Sequence, residues 1–145
     1  MASGAGGSGS GGFIVGITNP VGTGTGINFI GEHMYGMSGV GSAGSGGDFV
    51  GFDFTSPSNS HIKAKMFTSY DAEDLASGNQ FGYSVSLNDQ LVFFTRREAH
   101  AADQVNQPLP SEVRFIIPPD TRTIVTGFNN GSGVDMAFIL EGRVY

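Results

Sequence analysis

From residue 48 onward the chain alternates apolar and polar positions with a period of two. Val50, Phe52 and Phe54 alternate with Gly51, Asp53 and Thr55, and Ile62, Ala64 and Met66 alternate with Lys63 and Lys65. That spacing belongs to antiparallel strands with one buried face. The run 90–95 is apolar on both faces, which places it in mid-sheet or against a partner. The run 113–117 meets Pro118-Pro119, which must close a strand because proline donates nothing to a ladder. Runs 122–128 and 135–145 flank Asn129-Asn130-Gly131-Ser132-Gly133, and Asn-Gly between two β-rich runs predicts a hairpin. In the last run Met136, Phe138 and Leu140 share the expected core face, while Ala137, Ile139 and Glu141 share the other.

Helical signals are few. Residues 69–77, stopped by Gly78, and residues 98–105, ahead of Pro108 and Pro110, are each expected to form a short helix. Six or seven strands over 48–145, with one or two more from the preceding segment, make the inventory of an all-β fold. The expected architecture is a jelly-roll-like antiparallel β-sandwich.

The first 47 residues have a different texture. Eighteen of the 24 glycines fall in the first 51 positions, and Glu32 is the one charged side chain before Asp48. Short apolar islands interrupt the glycines: Phe13, Ile14, Val15 and Ile17; Ile27, Phe29 and Ile30; Met34 and Tyr35. A free linker has no use for such islands, whereas an arm that lies on another surface does. Ordering so glycine-rich a segment costs more backbone entropy than its islands return on burial. Two parts are therefore expected: an extended arm over 1–47, ordered on assembly, and a sandwich body over 48–145. The first twelve residues also have the look of an expression linker.

Composition narrows the function. With no cysteine, disulfide frameworks and thiolate chemistry are excluded. A net charge of −6 with no basic cluster larger than Arg96-Arg97 argues against nucleic-acid binding and against anionic membranes. No apolar run is long enough for a spanning helix, and the start lacks a signal-peptide pattern, so synthesis in the cytoplasm is expected.

Chemistry-bearing motifs are weak. Residues 22–26 (GTGTG) lack the Lys-Ser/Thr of a phosphate loop. Asp71, Glu73 and Asp74 suit a solvated helix start better than a calcium loop. His33, His61 and His100 have no metal-ligand spacing. No catalytic, cofactor or metal residue is expected, and the protein is read as a non-enzyme. Twelve Phe and four Tyr with no Trp indicate a Phe-built core, with Tyr35, Tyr70, Tyr83 and Tyr145 as the candidates for exposed platforms.

One stretch carries a family likeness. Ile117-Pro118-Pro119-Asp120-Thr121, a strand, the Asn/Gly/Ser turn and the final run 136–145 (MAFILEGRVY) resemble the last hairpin of small virion proteins of tailed bacteriophages, capsid decoration (cement) proteins among them. The resemblance implies a trimerising or lattice-docking sandwich without enzymatic activity. The expected function is thus a capsid decoration protein, a homotrimer bound to a major capsid protein or other virion protein and located in the virion. A head–tail adaptor or tail component is the alternative within that class, and a carbohydrate-binding adhesion module the alternative outside it. Expected assembly contacts are the arm islands and, on the body, Arg143 and Tyr145.

Overall fold

The computed structural model of the chain describes residues 13–14, 17–18, 23–24, 27–43, 48–71, 78–101, 104–105, 109–131 and 134–145. Among them are strands and no helix. In chain order the strands are β1 (Phe13–Ile14), β2 (Ile17–Thr18), β3 (Thr23–Gly24), β4 (Ile27–Ile30), β5 (His33–Ala43), β6 (Phe49–Thr55) and β7 (Ile62–Asp71). They continue with β8 (Gln80–Leu87), β9 (Gln90–Ala101), β10 (Gln104–Val105), β11 (Glu112–Ile117), β12 (Arg122–Asn129) and β13 (Val134–Val144). One sheet has the order β10-β9-β8-β12-β6-β3 and the other β11-β7-β13-β5-β4, with β1 and β2 paired apart.

The pairing is nested. β5 pairs with β13, β6 with β12, β7 with β11 and β8 with β9, all antiparallel. The chain is thus one long hairpin folded over on itself, its partners passing alternately from one sheet to the other. That is the jelly-roll arrangement the strand inventory predicts. The tip of the long hairpin is Asn88-Asp89, both at positive φ (48° and 63°), with Leu87 opposite Gln90. Two consecutive left-handed residues make the two-residue turn whose twist matches its strands, and Asn and Asp tolerate that conformation.

The core fills the space between the sheets. Phe52, Phe54, Phe81, Tyr83, Val85 and Val125 enter from one side, and Ile27, Met34, Ile62, Met66, Met136, Phe138 and Leu140 from the other. Phe138 lies at its centre, edge-on to Tyr83 at 5.7 Å and stacked with Phe49 at 6.0 Å. Opposite it, β5 carries a bulge: Ala137 pairs with Val40 and Ile139 with Met37, so Ser38 and Gly39 together face Phe138. Ser38 Oγ accepts the Phe138 N–H at 2.8 Å, satisfying a donor that the bulge removes from that ladder. The period-two reading of the last strand is correct here: Met136, Phe138 and Leu140 are fully buried, and Ile139 is half exposed.

Other expectations need correction. Val50 is exposed rather than buried with Phe52 and Phe54. Val125 pairs with Phe52 and Thr126 with Val50, so Gly51 is an extra residue that restarts the alternation and turns Phe49 inward. The segment 98–105 is not a helix: β9 runs to Ala101, with Glu98 opposite Gln80, and β10 follows. Sheet pairing overrides its helix-forming composition. Residues 69–71 likewise end strand β7, and 72–77 lie outside the described residues.

The predicted final hairpin is also absent. β12 has β6 and β8 as neighbours and β13 has β5 and β7, so these consecutive strands lie in different sheets. The asparagines tie this crossing down instead of turning a hairpin. Asn130 Oδ1 accepts the Gln80 N–H at 2.6 Å, its own N–H reaches Gln80 O at 3.0 Å, and Asn129 Oδ1 accepts the Gly131 N–H at 3.1 Å. Asn129 also donates to Ala43 O at 3.4 Å, a link to β5 of the opposite sheet.

The expected division after residue 47 does not follow the sheets either. Residues 27–43 form β4 and β5, and β5 pairs with β13 at nine positions, from Val134↔Ala43 to Arg143↔His33. Its glycines do not prevent this, because the burial of Ile27, Phe29, Met34 and Ala43 against a preformed neighbour supplies what the isolated segment lacks. Earlier in the chain, β3 pairs with the end of β6 through Thr23↔Thr55 and Gly24↔Phe54.

Candidate interaction surfaces

With the inner faces spent on the core, interactions fall to the outer faces and edges. Cross-strand register lays out each outer face in rows. On the five-stranded sheet one row reads Ile116, Lys63, Arg143, His33, Ile30 across β11, β7, β13, β5 and β4. The next reads Arg114, Lys65, Glu141, Tyr35, Asn28, and a third Glu112, Phe67, Ile139, Met37. Four of the seven Lys and Arg residues lie in the first two rows.

Most of these charges are compensated. Lys65 lies 3.4 Å from Glu112 and 3.6 Å from Glu141, Arg114 is 2.7 Å from Glu112, and Arg143 is 3.4 Å from Glu32. The Arg114 hydrogen bond, with help from Lys65, holds the Glu112 carboxyl below its ordinary pKa. Lys63 has no carboxylate partner among the described residues; its ammonium rests 4.5 Å above the Tyr145 ring. The Arg143 guanidinium is 5.3 Å from the same ring, which also stacks on His61 at 5.4 Å. Tyr145 is held by backbone hydrogen bonds with His61 in both directions, at 2.9 and 3.2 Å. His33, Tyr35, Lys63, Lys65, Glu141, Gly142 and Arg143 together line an open depression of about 270 Å³.

The six-stranded sheet presents a different face. Its rows read Val50, Thr126, Ser84, Phe94 and Asp53, Ile124, Ser86, Leu91 across β6, β12, β8 and β9. Thr126, Ser84 and Ser86 form the floor with Ile124, and Val50, Phe94 and Leu91 form the margin with Asp53. Phe94 and Phe128 are stacked, their ring centroids 5.3 Å apart and their planes within 4° of parallel. Gly82, opposite Phe128 on β8, makes this possible, since a Cβ there would collide with the Thr95 carbonyl oxygen and the Phe128 ring. Leu91, Val92 and Phe94 are each at least half exposed. A bulge at Val92, between the pairs Val85↔Phe93 and Ser86↔Leu91, turns an extra apolar side chain outward.

The same strand offers an open edge. β10 meets β9 only at Ala99 and Ala101, so among the described residues nothing pairs with the second edge of β9 before them. Such an edge presents unused N–H and C=O groups to another chain. At the other side of this face Arg122 grips Asp53 through two hydrogen bonds, at 2.9 and 2.7 Å, and the Arg122 bond lowers the Asp53 pKa.

No family model matches the chain, and neither a curated protein nor a solved structure does.

The expected contact residues divide sharply. Ile27, Phe29 and Met34 are core residues of the sandwich and unavailable to a partner. Ile30 and Tyr35 alternate with them and are exposed. Arg143 and Tyr145 are exposed and lie beside each other; Arg143 lines the depression and Tyr145 does not. The side chains of Phe13, Ile14, Val15 and Ile17 lie outside the described residues. The sequence reading missed β8, although Phe81, Tyr83, Val85 and Leu87 alternate without a break. It also missed the Phe94–Phe128 pair and the Lys63–Arg143 row, which no local pattern could reveal. Among the described residues no group of His, Asp and Glu could hold a metal.

Proposed function

We propose that this chain is a structural, non-enzymatic assembly protein: a jelly-roll subunit that associates with copies of itself, as a homotrimer, and decorates a virion shell. The observation that carries the reading is the β9 margin, where Leu91, Val92 and Phe94 are exposed beside the Phe94–Phe128 stack and a strand edge that no described residue pairs. Contiguous exposed apolar surface of this kind marks interaction sites in soluble proteins. Jelly rolls occur as capsid and lectin domains, and this analogy of fold supports the reading. A closed threefold arrangement covers three such margins without open-ended growth.

The experiment has two parts. Light scattering on the purified chain is expected to give a trimer, and the double variant Leu91→Ser, Phe94→Ser a monomer that still melts cooperatively, because both side chains lie outside the core; its Tm falls by what association contributes. A wild-type monomer at micromolar concentration overturns self-association through this margin. On purified particles, a copy number near that of the shell protein is expected, and about a dozen copies or fewer would assign the chain to the tail instead.

A further inference from the structure

The depression on the five-stranded sheet has a use that shell attachment does not require. Lys63 and Arg143 stand directly opposite each other on neighbouring strands, with His33 next in the same row. Like charges at directly opposed sheet positions oppose each other. Here they are held together by the shared Tyr145 ring, which is itself anchored to His61. Two cationic heads fixed around one point, one of them without a carboxylate partner among the described residues, suit a ligand anion.

The rest of the lining is not that of a bare anion site. Tyr35 and His33 stack at 6.2 Å and 26°, giving a flat aromatic surface, and the Tyr35 ring is about half exposed. Glu141 presents acceptor oxygens one row away, tethered by Lys65 at 3.6 Å. A cation pair, an aromatic plane and a carboxylate acceptor around about 270 Å³ match the three faces of one carboxylated sugar: its anion, its apolar ring face and its hydroxyls.

We infer that this depression binds an anionic saccharide, the sugar carboxylate lying between Lys63 and Arg143, the ring against Tyr35–His33 and a hydroxyl donating to Glu141. The site is on the sheet opposite the β9 margin, so its occupancy and the assembly reading stand or fall separately.

The test is calorimetric titration of the full chain with N-acetylneuraminic acid and with glucuronic acid, alongside N-acetylglucosamine, glucose and inorganic sulfate. At least one acidic sugar is expected to bind weakly, less at higher salt, with neutral sugars showing nothing. Lys63→Ala and Tyr35→Ala, both at exposed positions, are each expected to weaken binding on the order of tenfold with unchanged melting. Ile116→Ala, in the same row but outside the lining, is expected to bind as wild type. Equal binding of neutral sugars removes the role of the cation pair. Sulfate binding as tightly as the sugars, insensitive to Tyr35→Ala, reduces the site to an anion contact and overturns the saccharide assignment. Absence of binding by both acidic sugars overturns the proposal outright.

Discussion

The two outer faces of this sandwich are built on the same kind of strand yet differ in chemistry. The five-stranded sheet shows rows of Lys, Arg, Glu, His and Tyr, with most charges paired across strands. The six-stranded sheet shows a floor of Ser84, Ser86, Thr126 and Ile124 with Phe94, Phe128, Leu91 and Val50 around it, and an edge of β9 that no described residue pairs before Ala99. The lesson is that a jelly roll fixes only its inner faces. Alternation sends half of each strand outward, and those positions take whatever chemistry the protein's contacts require. One face is suited to a polar ligand and the other to a protein surface.

The largest test concerns what the two faces share. Deleting residues 1–47 removes β4 and β5, so β13 loses its nine-position ladder and the core loses Ile27, Phe29, Met34 and Ala43. The truncated chain is expected to be unfolded by circular dichroism and denaturant titration. A cooperative, native-like melt would show that the five-stranded sheet survives without its Gly-rich half.

Next in size is a contrast between neighbours on β13. Phe138 is fully buried between the sheets, and Ile139 is on the charged outer face. Phe138→Ala is expected to cost about 3–5 kcal/mol through lost transfer energy and the cavity left behind. Ile139→Ala is expected to fall within about 0.5 kcal/mol of wild type, as for other surface changes. Thermal melts of the two variants measure how completely inner and outer roles separate along one strand.

A smaller effect of opposite sign is expected at Thr123, whose hydroxyl is buried with no hydrogen-bond partner among the described residues. Thr123→Val keeps the shape and removes the unsatisfied oxygen, so urea titration should show a gain of about 1 kcal/mol.

The smallest effect compares the charge pairs of the two faces. Arg122 lowers the Asp53 pKa on one face, and Arg114 lowers that of Glu112 on the other. A depressed folded-state pKa means a contribution fully present above the unfolded value and lost as pH falls through the folded value. Stability should therefore decline gently below about pH 4. Both pairs are solvent-exposed, so the decline is shallow. Asp53→Asn and Glu112→Gln should each flatten part of the acid limb of a Tm-against-pH curve. Tyr83 acts at the other extreme: burial raises its pKa, so its contribution is present below about pH 10 and lost above it as the phenol ionises.

Much of this was legible in the chain. Period-two alternation identified β6, β7, β11, β12 and β13 as strands and gave the inward set Met136, Phe138 and Leu140, because a strand's two faces are written directly into the order of its residues. The class of fold followed from the number of such runs. Tertiary structure alone decided which strand lies beside which. Among the described residues β1–β2, β4–β5, β8–β9 and β9–β10 pair consecutive strands; the pairs β5–β13, β6–β12 and β7–β11 join residues distant in sequence, and no local signal encodes a distant partner. Bulges at Gly51 and Val92, invisible in a hydropathy pattern, then reversed the facing of Val50 and turned Val92 outward. The same long-range pairing drew a Gly-rich segment into the middle of a sheet, where burial against β13 outweighs its entropy. It also brought Lys63, Arg143, His33 and Tyr35 to one depression, since a site assembled from three strands exists only once their register is set.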